Sequence, residues 1–388
     1  MDRLKPRPAG ADQLFVARSL SNSLRAGLLA VALAVSLLAA SPASTGTASE
    51  TTAVVISGHG FGHGIGLSQW GAEERAATGS SYAQILAFYY PGTTLATAPA
   101  GQVRVLVAER PRVQVGSKQP FTIRSADGTA LRFAAGRYPV SPDGRIGSRT
   151  VELPAIAAPG SAPLELGGTG FAGTLKLDLA GDRVRVVNVL DLEDYLVGVV
   201  SSECPGYWHA DALRAQAVAS RSYALANLRP SADFDLYSDD RSQNYHGLHK
   251  HLPGAAAAVS ATRGEVLRYR GAIVNALFSA ANGGLTSIAD GIWTDGARPY
   301  FAARPDTFDA KSPNTNWGPF TVSVAALRKS FPELPAAVTS VSVARNAGRR
   351  VTTLTFTGAD GSTVSIGGYA FQQRLALRST YYEISADR

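Results

Sequence analysis

The segment VVSSECPGYWHADALRAQAVASRSYALANL, Val199–Leu228, decides how the middle of the chain folds. It holds the only cysteine, Cys204, directly after Glu203, and a Pro-Gly turn follows this pair. Alanine, the residue with the highest helix propensity, dominates the remainder, so we predict a helix from about Ala210 to Asn227. The segment therefore places an ionisable carboxyl group shortly before a closely packing helix.

The predicted helix carries an apolar seam with polar groups beside it. Small and apolar residues recur along one face at helical spacing: Leu213, Gln216, Ala217, Ser220 and Ala224. A carboxyl group buried near this seam would have a raised pKa, as a general acid requires. The alternative is an ordinary carboxylate at a helix entrance, stabilised by the helix dipole, and spacing alone favours that alternative.

The N-terminal segment has the features of a secretory signal. Basic residues precede the apolar run AGLLAVALAVSLLAA, Ala26–Ala40, and the small residues SPAS follow it. The run is shorter than the roughly 20 residues of a membrane span. We therefore expect residues 1–43 to be a signal peptide cleaved near Ala43, with an uncleaved anchor as the alternative.

The composition indicates a secreted protein with a large core. The chain has 388 residues, of which 45% are hydrophobic and 17% charged, enough for about one to three domains. One cysteine cannot form an internal disulfide. The predicted signal holds five basic and two acidic residues, so its removal lowers the formal charge from +7 to +4. This mild positive charge suits an anionic surface such as a cell wall, whereas no dense basic run or aromatic platform points to nucleic acid.

The segment pattern predicts an α+β class, a mixed β-rich fold with the alanine-rich helix following Glu203. Two short helices are expected near the N-terminus, one over Leu67–Thr78 and one that starts at a capping box formed by Ser81 and Gln84. The predicted blocks are the signal peptide 1–43, a Gly/His block with two short helices 52–95, a β-rich region 100–190, a core 191–335 and C-terminal strands 336–388.

The Gly/His block contains GHGFGHGIGLSQWGA, whose alternating glycines forbid a helix before Leu67. We interpret this loop as backbone that faces a ligand, with His63, Gln69 and Trp70 as contacts. A glycine-rich structural turn is an equally weighted alternative. The loop matches neither the dinucleotide-binding fingerprint nor the nucleophile elbow.

Other candidate sites have weaker patterns. His59 and His63 have no third metal ligand nearby, and the spacing of His246, His249 and His251 matches no standard zinc site. We therefore predict no metal and no cofactor. Cys204 with His209 is a conceivable nucleophile and base, although a buried thiol is the more usual outcome. FSAANGGLTS, residues 278–287, fits a hairpin or a close backbone approach to a ligand.

Four segments together resemble the stage II sporulation protein D (SpoIID)/LytB family. The longest, VVNVLDLEDYLVGVVSSECPGYWHADALRAQAVASRSYALAN, is similar to the family signature, and Glu203 falls on the glutamate of its Glu-Met-Pro step. Cys204 stands where that step has methionine. The Gly/His block with SYAQILAFYYPGT, then FSAANGG and LRSTYYEI, resemble three further blocks, so the likeness runs from about Thr52 to Ile384.

This sequence departs from the family pattern in two ways. The Gly/His block precedes the catalytic region instead of following it, an order that requires the chain ends to lie close together. Some members carry a Cys/His metal site after the catalytic helix, where this chain has SDDRSQNYHG without cysteine. The resemblance therefore does not bring a metal with it.

The resemblance implies a peptidoglycan lytic transglycosylase with Glu203 as its catalytic residue. One carboxyl group suffices, because the C6 hydroxyl of muramic acid attacks internally and replaces the second carboxylate of ordinary glycosidases. Gln216, Arg221 and Tyr223 project from the helix after Glu203, and we expect them to position Glu203 or contact the sugar, with a purely structural role as the alternative. The remaining groove residues would be Ser279, Asn282, Gly283, His63, Gln69 and Trp70.

The expected partners are peptidoglycan glycan strands and, as a second candidate, a wall amidase. The expected location is secreted, at the cell envelope, with neither nucleic acid nor membrane as partner after signal cleavage. The main alternative is a non-catalytic wall-binding or amidase-enhancing module of the LytB type. A second alternative is a hydrolase that uses Cys204.

Overall fold

A computed structural model describes residues 50–248, 251–289 and 298–387. The predicted signal peptide at 1–43 and His249 lie outside the described residues. The α-helices are α1 Gln69–Ala77, α2 Tyr82–Tyr89, α3 Leu192–Glu203, α4 Ala210–Ala226, α5 Pro253–Ala261, α6 Val324–Ser330 and α7 Gly368–Leu375, with a 3-10 turn over Thr307–Lys311. Among these helices, none is both long enough and apolar enough to cross a lipid bilayer.

Strands are more numerous than helices, which confirms the predicted mixed, β-rich α+β class. Their bounds are β1 Ala53–His59, β2 Leu67–Ser68, β3 Thr94–Thr97, β4 Gln102–Arg110, β5 Val113–Ser117, β6 Phe121–Arg124, β7 Ala130–Phe133, β8 Gly136–Val140, β9 Arg145–Ile146, β10 Arg149–Thr150, β11 Ala155–Ala158, β12 Leu164–Leu166, β13 Thr169–Phe171, β14 Thr174–Ala180, β15 Arg183–Asp191, β16 Leu236–Tyr237, β17 Glu265–Tyr269, β18 Ala272–Ile273, β19 Phe278–Ser279, β20 Asn316–Ser323, β21 Val338–Arg345, β22 Val351–Gly358, β23 Thr363–Gly367 and β24 Tyr382–Asp387.

The two larger sheets come mainly from the region predicted to be β-rich. One has the strand order β16-β4-β15-β14-β11-β6-β7 and the other β10-β9-β8-β5-β12-β13. Burial alternates along strands such as β14 and β15, as expected where one face of a sheet covers a core. Apolar residues of these sheets form one cluster with α3 and α4, so the sheets support the two helices around Glu203. The predicted block boundaries remain predictions.

The first described strand pairs with the end of the chain. Strand β1 lies between β20 and β24, and Ala53 is paired with both Ser323 and Asp387. The two ends of the described chain therefore meet in one sheet. This pairing meets the condition that the unusual order of the Gly/His block requires.

Helix α3 was not assigned from the sequence, and it carries Glu203 at its last position. The Asp191 side chain accepts a hydrogen bond from the Glu193 amide at 2.8 Å and caps the helix start. Pro205 explains its end, because the residue before a proline disfavours helical backbone, and Cys204 is extended. Glu203 thus closes one helix and does not open the next.

The predicted alanine-rich helix is confirmed as α4, and its first turn is held by another element. The His209 amide donates to the Glu73 carboxylate of α1 at 2.9 Å, so a distant side chain caps the start of α4. The predicted helices α1 and α2 are also present, and α2 begins with the expected capping box of Ser81 and Gln84.

A buried ion pair fastens α3 to α4. Arg221 has no exposed surface, and its guanidinium binds the Glu193 carboxylate through two hydrogen bonds of 2.9 and 2.7 Å. A further bond of 3.0 Å reaches the Glu265 carbonyl oxygen on β17. Such bidentate, charge-assisted pairs are strong and directional, so this contact fixes the angle between the two helices.

We expect Arg221→Leu to lower the free energy of unfolding by about 3–5 kcal/mol, because it leaves the Glu193 carboxylate buried without a counter-charge. Denaturant titration of the folded chain measures this loss. Arg241→Ala is the matched control: its pair with Asp239 is largely exposed, and it should cost about 1 kcal/mol or less. Equal losses in the two variants would contradict the role given to the buried pair.

Candidate active site

Glu203 is half-buried, and its carboxylate is held by neutral hydrogen-bond donors from two separate parts of the chain. The Gln69 amide nitrogen donates to Oε2 at 3.1 Å. The backbone and side-chain nitrogens of Asn244 donate to Oε1 at 2.8 and 3.1 Å. Among the described residues, no arginine or lysine forms an ion pair with it. The geometry orients the carboxyl group without neutralising its charge.

This environment favours the protonated acid. Burial raises the pKa of Glu203 above its ordinary value, while the hydrogen bonds from Asn244 and Gln69 and the charge of His246 partly offset the rise. The position of Glu203 acts in the same direction as burial, because the C-terminal end of α3 carries the negative end of the helix dipole. A carboxyl group of this kind can donate a proton at a pH where an exposed glutamate is ionised.

Gln69 reaches Glu203 because the start of α1 is fixed in three ways. Ser68 caps the helix by accepting a hydrogen bond from the Gly71 amide at 3.1 Å. The same hydroxyl donates to Asp309 at 2.5 Å. Strand β2, which precedes the helix, pairs in parallel with β19, so FSAANGG forms a short parallel pairing and not the hairpin considered above. The first residue of α1 therefore has a defined position.

Two buried acids, Asp306 and Asp309, organise this neighbourhood. Asp309 accepts hydrogen bonds from the amides of Asn282 and Gly283 at 3.1 and 2.7 Å. Asp306 accepts from the Asn282 side chain at 2.7 Å and pairs with Arg75 of α1 at 2.9 Å. Asn282, which is fully buried, and Gly283 thus bind these acids and hold α1. A direct contact of Asn282 with a glycan does not fit its burial.

The glycines of the Gly/His block are approached closely by the chain itself. Gly64 has a φ of +69°, and a Cβ there would lie 1.9 Å from the Arg350 guanidinium. Its amide donates to the Ser279 hydroxyl at 3.1 Å, so Ser279 secures the loop from its buried position. Burial and the nearby charge of Arg350 lower the pKa of His63 to about 4, which keeps that ring neutral near pH 7. The structural-turn interpretation accounts for these contacts without a ligand.

None of the described hydrogen bonds to the Glu203 carboxylate comes from helix α4. Gln216 is buried and donates to the Ser220 hydroxyl at 3.0 Å. Arg221 is fully buried in its pair with Glu193, so it cannot touch a sugar and can act only by positioning α3. Tyr223 lines a different cavity, together with Arg229 and Tyr237. Of the nine candidate binding residues, all of which are described, only Gln69 has a described hydrogen bond to Glu203.

Aromatic side chains lie in the chain segments next to Glu203 and Gln69. Trp70 follows Gln69 and packs edge-on against Trp208, with ring centroids 5.3 Å apart. Tyr207, four residues after Glu203, is 83% exposed. An exposed aromatic ring beside a polar group is a common way to bind a sugar face.

Cys204 lacks the surroundings of a nucleophile. It is buried, and burial together with the charges of Glu203 and Glu73 raises the pKa of its thiol well above the usual range. His209 binds the Glu73 carboxylate at 2.8 Å through Nδ1. The ring that would serve as its base is therefore engaged elsewhere.

No group of three or more His, Cys, Asp or Glu side chains in the described residues could hold a metal ion. His249 of the HGLHKH loop lies outside those residues, and His246 is exposed beside the Glu203 site.

Sequence reasoning missed Asn244 and the Glu73 cap of α4. Asn244 lies in the polar loop SDDRSQNYHG, where no periodicity distinguishes one residue from its neighbours. Glu73 comes four residues after Gln69, one helical turn away, and this spacing was the available indication that both side chains lie on one face of α1.

Comparison with known proteins identifies the part of the chain that contains this site. The model of the stage II sporulation protein family, SpoIID, matches residues 180–269, a range that includes α3, α4 and Glu203.

Three curated proteins are similar over part of their length. An uncharacterised protein of Brachyspira hyodysenteriae is 36% identical over 131 residues, 33% of this chain and 36% of that protein. The amidase enhancer of Bacillus subtilis is 32% identical over 122 residues, 31% of this chain and 16% of that protein. The stage II sporulation protein D of Bacillus amyloliquefaciens is 27% identical over 216 residues, 51% of this chain and 61% of that protein.

The chain thus spans less than two thirds of the length of each of these relatives. The family match and the relatives named stage II sporulation protein D and amidase enhancer agree with one another. Together they support the assignment of the domain at residues 180–269 to the stage II sporulation protein (SpoIID) family.

Proposed function

We propose that this chain cleaves peptidoglycan glycan strands at the cell envelope as a lytic transglycosylase, with Glu203 as its single acid and base. The family match at residues 180–269 and the names of the relatives support a cell-wall-related role. The observation that carries the chemistry is a half-buried carboxyl group with a raised pKa, bound by neutral donors and by no cation among its described contacts.

In the proposed reaction, Glu203 first donates its proton to the glycosidic oxygen as the bond to the muramic C1 breaks. The resulting carboxylate then accepts the proton of the muramic C6 hydroxyl, whose oxygen attacks C1. The product is a 1,6-anhydromuramic end and a strand with a free hydroxyl at the other side of the cut. Because the nucleophile belongs to the substrate, its effective concentration is high, and no activated water is needed.

Of the carboxyl groups that could support hydrolysis instead, Asp194 is exposed on α3, nine residues before Glu203, and the others are engaged elsewhere. Glu193 is bound to Arg221, and Asp211 accepts a hydrogen bond from the Tyr82 amide at 3.1 Å. Glu73 lies close enough to Cys204 for its charge to act on the thiol, as the charge of Glu203 does. Its carboxylate binds both the backbone amide and the ring of His209. This distribution favours a mechanism with one working carboxyl group over the two-carboxyl mechanism of ordinary glycosidases.

An amidase-enhancing module is the second candidate function. The observation that favours it is the similarity to the Bacillus subtilis amidase enhancer. In that case the chain would bind wall glycan and raise the activity of a separate amidase, and Glu203 would be dispensable. Glycan binding and amidase stimulation that survive Glu203→Gln, with no cleavage by the native chain, would favour this function.

Glu203→Gln should abolish the formation of anhydromuramic ends, because the amide keeps the shape of the side chain but cannot donate and recover a proton. We expect at least a 10²–10⁴-fold loss of rate, the usual contribution of a positioned acid-base group. Mass spectrometry of purified glycan strands after digestion measures these ends. Reducing ends in the native digest would indicate hydrolysis and contradict the proposal, and so would equal amounts of anhydro product from both proteins.

Gln69→Met should move the alkaline limb of the kcat/KM profile to higher pH. The Gln69 hydrogen bond stabilises the ionised form and lowers the pKa of Glu203, so its loss raises that pKa and extends the protonated, active range upward. Gln216→Met is the matched control, since that buried amide binds Ser220. A shift to lower pH, or an equal shift in the control, would contradict the assigned contact.

Cys204→Ala should leave the rate of cleavage within about threefold of the native rate, because the thiol takes no part in the proposed proton transfers. Removing a buried sulfur should cost roughly 1 kcal/mol of folding free energy. Rates measured well below the melting temperature of each protein separate these effects. Complete loss of activity in a folded Cys204→Ala variant would support the cysteine hydrolase instead.

A further inference from the structure

A cationic cleft opens next to the loop whose Asn244 binds the Glu203 carboxylate. It has a volume of about 720 Å³ and lies between the turn joining β4 to β5, strands β12 and β13, and the loop around Tyr245. Arg110, at the end of β4, and Arg112, in the turn that follows, line it on either side of Pro111. From the sequence, this cleft had no assigned role.

The two arginines carry uncompensated charge. Both are exposed, and within the described residues neither guanidinium has a hydrogen-bond or ion-pair partner. The acid next to Arg110 on β4, Glu109, is already paired with Arg185 at 3.3 Å. Among the described residues that line the cleft there is no acidic side chain. Its positive potential is therefore available to a ligand.

The cleft is joined to the Glu203 site through three consecutive residues. Asn244 binds the Glu203 carboxylate, and the next two residues, Tyr245 and His246, line the cleft. The charge of His246 acts on Glu203. The Tyr245 ring packs onto Gly198 of α3, five residues or about 7.5 Å of helix rise before Glu203. The same short loop therefore borders both the cleft and the Glu203 carboxylate.

We propose that this cleft binds a carboxylate of the glycan substrate through Arg110 and Arg112. The inference rests on the proposed glycan substrate. A guanidinium pairs with a carboxylate through two parallel hydrogen bonds, so two free guanidinium groups select an anionic ligand over a neutral sugar. Muramic residues carry such a group either on a bare lactyl ether or on the attached stem peptide. The two sources share this chemistry and differ in where the carboxylate lies.

Binding to the Glu203→Gln variant tests the proposal without any cleavage. Calorimetry would compare three ligands of equal sugar length: a chitin oligosaccharide without carboxylates, a peptidoglycan strand without stem peptides, and a strand that keeps them. We expect tighter binding of at least one carboxylate-bearing strand than of the chitin oligosaccharide. Adding Arg110→Ala and Arg112→Ala should weaken the binding of that strand about tenfold or more and leave the binding of the chitin oligosaccharide unchanged. The strand that loses affinity identifies the source of the carboxylate.

The matched control replaces Arg132 and Arg263, two exposed arginines without described side-chain partners that lie outside the cleft lining, with alanine. It removes the same charge and should keep the native preference. The double variant Arg110→Lys with Arg112→Lys should retain part of the preference for the carboxylate-bearing strand. If the alanine variant does not fold, Arg110→Gln with Arg112→Gln takes its place. Equal affinity of the parent for all three ligands, or an unchanged preference in the cleft variants, would overturn the inference.

The result is independent of the cleavage test. A carboxylate preference that depends on Arg110 and Arg112 in a chain that forms no anhydro ends would leave this inference standing and reject the transglycosylase. Anhydro ends together with an unchanged preference in the cleft variant would support the transglycosylase and reject the carboxylate-binding cleft.

Discussion

The site depends on one constraint: a half-buried carboxyl group must be held in place without being paired to a cation. Glu203 meets it through the amides of Gln69 and Asn244, which lie 134 residues before it and 41 residues after it. A lysine or arginine in either place would hold the ionised form and lower its pKa. Neutral donors orient the group and leave the protonated form accessible, as an acid that later acts as a base requires.

The rest of the fold brings those two donors to Glu203. Strand β1 joins β20 and β24, which carries the N-terminal Gly/His block to the opposite end of the chain. Asp306 and Asp309 then fix the start of α1, so Gln69 points at the carboxylate. On the other side, the Arg221–Glu193 pair sets α3 against α4. Several buried polar contacts thus fix the position of the Glu203 side chain.

The sequence predicted the elements whose pattern is local and missed those set by distant contacts. The alanine-rich α4 and the Ser81–Gln84 capping box were found because propensity and spacing specify them within one segment. Helix α3 was missed because its residues, rich in valine and serine, have weak helical propensity, and packing in the shared core stabilises it. Glu203 was located through the family signature, whereas Asn244 lies in a loop whose partner only the folded chain reveals. Arg221 was expected to position Glu203 or to contact the sugar, and its burial against Glu193 leaves only the positioning role.

The central claim is that Glu203 keeps its proton at a pH where ordinary glutamates have lost it. The most direct measurement is a carboxyl ¹³C NMR titration of the glutamate-labelled chain, with the Glu203→Gln variant identifying the resonance. The account predicts a pKa for Glu203 above that of an exposed glutamate, and a further rise in Gln69→Met. A Glu203 resonance that titrates at or below the ordinary glutamate value would contradict it.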